Sequence, residues 1–229
     1  PPTPWVSASP DHRWLLVMAR PALPAIDELA APEARLAGLR IHPRTTGPSR
    51  LPYATGLTFQ EIATGTEIPV TGLPEGARLR RLRWAPDVGH VAFTVTVDDR
   101  IELWVVSPED ARARRVIDRA LSDAWGTTME WTPDGGSLLC KLIPEDRGPA
   151  PEAPLVPSGP MVEESLGRTA PARTYQDLLE TAHDEALFEY LLTAQLARVT
   201  LDGEIHPIGN PDIYREFDPP PSGEYLLVQ

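Results

Sequence analysis

The chain contains 229 residues, of which 33 are acidic and 21 basic, so that its formal net charge is −12. Such an acidic chain lacks the basic surface that nucleic-acid binding requires, and it has no unbroken apolar run of about 18 residues that would span a membrane. One cysteine, Cys140, excludes an internal disulfide framework and a cysteine-rich zinc site. The 27 prolines argue against a helical bundle, and the 41% hydrophobic content argues against disorder.

A turn motif recurs along the chain, and each copy leads into a short apolar run. Proline presets the first position of the turn and aspartate or glycine closes it, so each copy predicts two buried strands joined by a tight turn. The four copies lie at residues 9–11, 85–87, 132–136 and 220–224.

A second pattern, consisting of a strand, a polar turn and another strand, follows at residues 57–70, 101–117 and 195–208. The two patterns together make a unit of four strands, which is typical of a β-propeller blade with a period of about 40–50 residues. Pro86 and Pro133 are separated by one such period, whereas the intervals on either side of them are longer and leave room for an insert.

These patterns predict an all-β chain, a partial β-propeller of about three four-stranded blades plus the start of another. We place helical or irregular inserts at about residues 21–49 and 144–193 of a propeller portion that covers 1–229. The first insert is helix-like over 25–39, and the second contains the strongest helix prediction, 175–192 with Thr174 as N-cap. Because the last residues have the pattern of a strand that nothing closes, we expect a piece of a longer protein.

The residue types needed for catalysis do not form a recognisable set. No Gly-x-Ser-x-Gly sequence is present, since Ser158 lacks the first glycine, and Cys140 stands in an apolar strand where a buried, inert thiol is expected. His183, Asp184 and Glu185 are more easily explained as the solvated face of a helix than as a metal site. Side chains at adjacent helix positions point in different directions and do not easily converge on one ion. The pair Glu163–Glu164 indicates a loop, with the capture of a peptide amino terminus as the alternative. We expect no catalytic residue, no metal site and no cofactor.

Arginines cluster near the first insert, and they have two interpretations. On an acidic chain they would steer an acidic group of a substrate, or they would lie along the surface and pair with carboxylates, which is the commoner outcome. The four residues are Arg35, Arg40, Arg44 and Arg50.

Stretches in both inserts resemble the propeller of the glutamyl endopeptidases, which belong to the prolyl oligopeptidase family of serine peptidases. The resemblance lies at 29–41, 49–50 and 53–57 in and after the first insert and at 154–160, 173–179, 187–188 and 195–196 in and after the second.

This resemblance implies a longer parent in which an N-terminal propeller covers a C-terminal α/β-hydrolase domain containing the Ser, Asp and His of the triad. No position here matches that triad. The propeller would gate and bind peptide substrates, and cleavage after glutamate is a trait of the named relatives. A basic residue would have to recognise the glutamate, and Arg40, Arg50 and Arg173 are the candidates because they lie in matching stretches. The implied partners are a peptide substrate and the hydrolase domain of the same protein, with an oligomer left open.

Two other functions stay open at the level of sequence. The first alternative is a non-catalytic propeller that binds a protein or peptide. The second is a metal-dependent hydrolase that uses His183 and its neighbours. A Gly-x-Ser-x-Gly sequence encoded further downstream would favour the peptidase over the binding module. We expect a soluble protein. Its compartment is left open between a bacterial cytoplasm and periplasm, because no signal peptide is visible but a trimmed start would have removed one.

Overall fold

The structure, a computed structural model, describes residues 2–24, 26–153, 177–219 and 225–229. Strands make up 40% of the described residues and helices 7%. Most of the strands form successive antiparallel sheets of four, in which neighbours in the sheet are neighbours in the chain apart from inserts. The prediction of an all-β, partial propeller is therefore confirmed, and the described sheets do not close into a ring.

The first blade begins with two strands and resumes after an insert. Its strands are β1 (Trp5–Ala8) and β2 (Trp14–Ala19). The insert contains a short helix and a three-stranded antiparallel sheet, formed by α1 (Ile26–Leu29), β3 (Ala34–Leu36), β4 (Leu39–His42) and β5 (Gly47–Pro48). The blade is completed by β6 (Gly56–Glu61) and β7 (Glu67–Pro69). The insert leaves and re-enters the sheet at one place, because Ala19 at the end of β2 pairs with Gly56 at the start of β6.

The second blade is an uninterrupted meander, and the third contains an insert between its second and third strands. The second consists of β8 (Arg78–Trp84), β9 (Val91–Thr96), β10 (Ile101–Val106) and β11 (Arg114–Arg115). The third consists of β12 (Met129–Trp131), β13 (Ser137–Leu142), then α2 (Ala182–Leu192), β14 (Thr193–Thr200) and β15 (Ile205–Pro207). Three short strands follow: β16 (Asp212–Ile213), which pairs with β14, and the mutually paired β17 (Phe217–Asp218) and β18 (Leu227–Val228).

The second blade packs against both of its neighbours, one on each face. Phe93 of β9 and Phe59 of β6 are fully buried in the core between the first and second blades. Leu103 of β10 and Leu138 of β13 are fully buried in the core between the second and third. Because both faces of the middle sheet are covered, its central strands are apolar at nearly every position rather than at alternate ones.

The first strands of the second and third blades, β8 and β12, lie against one another. The indole Nε1 of Trp131 in β12 donates a hydrogen bond of 3.0 Å to the carbonyl oxygen of Arg83 in β8. This bond joins two blades at their first strands, so β8 lies where neighbouring blades approach each other.

The predicted turns form as expected in the three described copies. In each, the aspartate carboxylate accepts a hydrogen bond from the backbone N–H two residues further along, over 2.9–3.1 Å: Asp11 from Arg13, Asp87 from Gly89, and Asp134 from Gly136. These side chains fix the turn that joins the first two strands of each blade. The fourth copy, residues 220–224, lies outside the described residues.

The helix predicted over 25–39 is wrong beyond its first turn. The structure has only α1 there, and the remainder forms the β3–β4 hairpin around Ala37 and Gly38, which both adopt positive φ (49° and 79°). A two-residue loop of this kind matches the twist of paired strands, and glycine makes it accessible. Of the apolar residues whose spacing indicates a helix, Ile26 and Leu29 lie in α1, whereas Ala34 lies in β3.

The helix predicted over 175–192 is present but begins later, at Ala182. Its N-cap is Thr181, whose hydroxyl accepts a hydrogen bond from the N–H of Asp184 (3.1 Å), while the Asp184 carboxylate accepts one from the N–H of Thr181 (2.9 Å). This reciprocal capping box fixes the start of the helix. The predicted cap, Thr174, lies outside the described residues.

Candidate functional site

Two of the three candidate arginines, Arg40 and Arg50, lie in the first insert around one carboxylate. Glu33 has only 5% of its side chain exposed, and its Oε1 lies 2.9 Å from Nη1 of Arg40, while its Oε2 lies 3.5 Å from Nε of Arg50. The Ser49 hydroxyl donates a hydrogen bond of 2.5 Å to the same carboxylate, and Arg35 completes the group at 3.0 Å. The hydrogen bond from Ser49, followed by the arginines, lowers the pKa of Glu33. These arginines therefore hold the insert together.

Arg40 also reaches across to the second insert, where its Nη2 lies 3.5 Å from Oδ2 of Asp177. Arg44 donates a hydrogen bond of 2.8 Å to the carbonyl oxygen of Asp98, in the turn that follows β9. Arg40 and Arg50 nevertheless remain about half exposed, so their role as substrate-binding residues stays a prediction. The third candidate, Arg173, lies outside the described residues, as do Ser158 and Glu163–Glu164.

A denser set of arginines lies on β8, which sequence reasoning did not single out. Alternate and adjacent positions of this strand hold Arg78, Arg80, Arg81 and Arg83. The strand is irregular here, with a shift in pairing between Arg80 and Arg83 and a positive φ of 54° at Arg81. The irregularity lets neighbouring arginines enter different surroundings, as bulges commonly do.

The four arginines of β8 have different partners. Arg81 binds the buried carboxylate of Asp123, with 2.8 Å between Nη2 and Oδ1, and Arg83 faces Glu130 across 3.6 Å at the surface. Arg78 lies 3.6 Å from Glu28 of α1. Arg80 has no carboxylate partner among the described residues, and the sequence gives no local signal of this difference.

Arg78 and Arg80 line two adjoining cavities between the first insert and the second blade, with volumes of about 270 and 500 Å³. The smaller cavity has an apolar wall formed by 21–24 and 51–52 and a basic side that also includes Arg20 and Arg50. Glu28 is the single carboxylate among its lining residues, against four arginines. This combination of an apolar wall and guanidinium groups is the candidate functional site.

A second buried polar cluster surrounds Lys141 in β13, whose side chain is only 2% exposed. Its ammonium donates hydrogen bonds to the carbonyl oxygens of Trp125 and Tyr214, the latter over 3.0 Å. Burial lowers the pKa of Lys141 to about 8, although the nearby charge of Asp123 acts in the opposite direction. The single lysine of the chain thus joins two loops to the third blade, a role that an isolated lysine in an apolar strand could have indicated.

The remaining sequence candidates are accounted for by local structure. Cys140 is fully buried in β13, as predicted, and burial raises the pKa of its thiol. The Asp184 carboxylate caps α2. Across the described ranges, no three histidine, cysteine, aspartate or glutamate side chains lie close enough together to hold a metal ion. The same part of the chain has no helix that is long and apolar enough to cross a bilayer.

Comparison with known proteins finds relatives over the whole chain, although no protein-family profile matches it. A protein of Oryza sativa subsp. japonica named "Probable glutamyl endopeptidase, chloroplastic" is 35% identical over 241 aligned residues, which cover 100% of this chain and 26% of the rice protein. The Arabidopsis thaliana protein of the same name is 36% identical, over 100% of this chain and 25% of its own length. The chain therefore spans about a quarter of these relatives.

Comparison with solved structures also matches a prolyl endopeptidase, with a TM-score of 0.46 and 17% identity over 86% of this chain and 25% of that one. An acylaminoacyl peptidase from Pyrococcus horikoshii has a TM-score of 0.44 and 10% identity over 94% of this chain and 26% of that one.

Proposed function

Because this chain belongs to the glutamyl endopeptidase-like group of the prolyl oligopeptidase family, we propose that residues 1–229 are the N-terminal propeller portion of a serine peptidase. In this role the chain gates the entry of peptides and helps to bind them, while an α/β-hydrolase domain of the same protein supplies the serine, aspartate and histidine. The observation that supports the proposal is identity over the whole chain, both inserts included, with relatives about four times as long.

In the chemistry proposed for the parent, the active serine attacks the peptide carbonyl, the C–N bond breaks and the amine product leaves. Water then hydrolyses the acyl-serine ester and frees the carboxylic acid. Cleavage after glutamate is part of the proposal and is supported by the name of the plant relatives. Arg40, Arg50 and Arg173 remain proposed contacts for that glutamate. A bacterial cytoplasm or periplasm remains the proposed compartment, while the plant relatives are named chloroplastic.

The test uses the intact protein that contains this chain, beside the 229-residue chain alone. A serine-directed phosphonate should label the intact protein outside residues 1–229 and leave the chain unlabelled. Labelling at a residue within the chain would contradict the proposal. If the gene encodes no Gly-x-Ser-x-Gly sequence and the intact protein hydrolyses no peptide, the chain is instead a non-catalytic binding propeller.

Gating is tested by substrate size on the same intact protein. A propeller that limits entry admits short or unfolded peptides, so a peptide of about 10 residues should be cleaved and a stably folded protein containing the same sequence in a surface loop should resist. Equal cleavage of both would show that the propeller does not gate.

A further inference from the structure

Among the described residues, Arg80 and Arg147 each have a buried Nε without a hydrogen-bond partner, and of these two Arg80 lines the candidate cavity. The two other nitrogens of Arg80 make only long contacts to uncharged oxygens, 3.4 Å from Nη1 to the carbonyl of Pro48 and 3.3 Å from Nη2 to the hydroxyl of Thr96. Within the described ranges no carboxylate lies within ion-pair distance of it.

A buried cation without a counter-charge is costly, and proteins normally place a carboxylate beside it. The guanidinium is a planar fork whose N–H groups match the two oxygens of a carboxylate, so a bidentate pair is the arrangement that satisfies it best. Burial lowers the pKa of Arg80, yet an arginine remains protonated in proteins. The group therefore remains a charged donor on the wall of the cavity.

The surroundings of Arg80 favour a peptide over a small inorganic anion. Arg78 and Arg50 also line the smaller cavity and add positive charge there. Among the described residues that line it, Glu28 is the single carboxylate. That wall includes Leu23 and Leu51, which are 81% and 50% exposed. A ligand with a carboxylate and an adjoining apolar part would satisfy both sides of the cavity.

We propose that the cavity between the first insert and β8 binds an acidic residue of a peptide, with Arg80 receiving its side-chain carboxylate and the 21–24 and 51–52 segments contacting its apolar neighbours. This inference rests on the proposed function in that the peptide is a substrate of the parent protein. Arg78 and Arg50 attract the carboxylate from the rim of the cavity, and Arg80 is the residue that determines specificity.

The test measures binding of two blocked peptides, identical except for one glutamate or glutamine, to the intact protein with its active serine inhibited. The glutamate peptide should bind about 10 to 100 times more tightly, as expected for hydrogen bonds between charged groups. Arg80→Met should reduce this preference to about onefold, and Arg80→Lys should keep part of it. The matched control is Arg83→Met on the same strand, which removes an arginine that does not line the cavity and should leave the preference unchanged.

Because Arg80 is largely buried, its replacement could impair folding, and Arg78→Gln at the rim serves as a second variant. It should reduce the preference about threefold, an attenuation typical of a more distant charge, with an unchanged melting temperature. Equal binding of the two peptides to the wild-type protein, or a preserved preference in folded Arg80→Met, would overturn the proposal. Inorganic phosphate that displaces the glutamate peptide at equal concentration would also overturn it, because the site would then bind anions without regard to the peptide.

Failure of this inference is distinguishable from failure of the proposed function. Hydrolysis of both peptides at equal rates would refute the role of Arg80 and leave the peptidase intact. A preference for glutamate that depends on Arg80, in a protein that hydrolyses nothing, would support the carboxylate site and refute the peptidase.

Discussion

The buried Lys141 should make a contribution to stability that rises between about pH 8 and pH 10.5, and replacing Lys141 by methionine should remove this contribution. The side chain is 2% exposed, and the pKa of its ammonium falls from 10.5 to about 8 through burial. The two carbonyl oxygens that accept its hydrogen bonds belong to Trp125 and Tyr214, so the variant also loses a link between two loops.

The magnitude follows from the difference in proton binding between the folded and unfolded states. Below about pH 8 the amine is protonated in both states, and the folded state bears the full cost of a buried cation. Between about pH 8 and pH 10.5 the unfolded chain binds more protons than the folded one, so the free energy of unfolding increases with pH. A pKa change of this size corresponds to about 3 kcal/mol.

The assay is urea unfolding followed by tryptophan fluorescence at several values from pH 7 to pH 10.5, for the wild-type protein and Lys141→Met. The Cys140 thiol ionises in this range in the unfolded chain, whereas burial raises its pKa in the folded state, so its contribution to stability falls as the pH rises. Both proteins contain Cys140, so its effect cancels when their unfolding free energies are subtracted. The advantage of the wild-type protein should therefore grow with pH, by up to about 3 kcal/mol.

A difference between the two proteins that does not vary with pH would refute this reasoning. It would mean that the two carbonyl oxygens and Asp123 stabilise the ammonium as well as water does, so that burial does not change its pKa. A difference that shrinks as the pH rises would mean that the folded state favours the charged form.

Three further predictions concern local structure. Gly126→Ala should destabilise the protein by at least about 2 kcal/mol in urea unfolding, because φ is +67° and a Cβ would collide with the Arg215 carbonyl oxygen. The control, Gly65→Ala, lies in open space at a similar φ and should cost about 1 kcal/mol. Equal costs for the two variants would contradict this prediction. Thr181→Ala should cost about 1 kcal/mol through loss of the capping box, measured as a lower melting temperature, with Thr181→Ser close to the wild type. Glu33→Gln should cost about 2 kcal/mol of stability, because three arginines share the Glu33 carboxylate. The same change should accelerate amide hydrogen exchange over residues 34–48. Unchanged exchange there would show that the structure of the insert does not depend on this carboxylate.

Those parts of the fold that depend on a few adjacent residues could be predicted from sequence. The blade turns were predictable because Asp11, Asp87 and Asp134 bond to backbone groups only two residues away. The first insert was not predictable, because the apolar residues spaced for a helix are divided between α1, which contains Ile26 and Leu29, and β3, which contains Ala34. A tight turn at Gly38 then leads from β3 into β4. The apolar spacing predicts a start of α2 that is too early, because the reciprocal hydrogen bonds of Thr181 and Asp184 decide where this helix begins.

The candidate site was predictable only in part. The sequence pointed to the arginines of the first insert, Arg40 and Arg50, but pairing with Glu33 through a folded sheet is not visible in their spacing. The surroundings of Arg80 come from Pro48 and Thr96, which belong to other parts of the chain, and none of the described residues supplies a partner for its Nε. A run of arginines in a strand has the same pattern whether each is solvated, paired or buried.

The pairing of Ala19 with Gly56 makes the first insert a closed excursion from the blade. Its two ends lie one strand spacing apart, so a short hairpin could in principle replace the whole segment without altering the register of β2 and β6. Such an architecture lets the wall of the cavity change in length and chemistry over evolution while the scaffold beneath it stays the same. For protein engineering, the excursion is a unit that can be exchanged between related propellers, bringing a new wall to the arginines of β8.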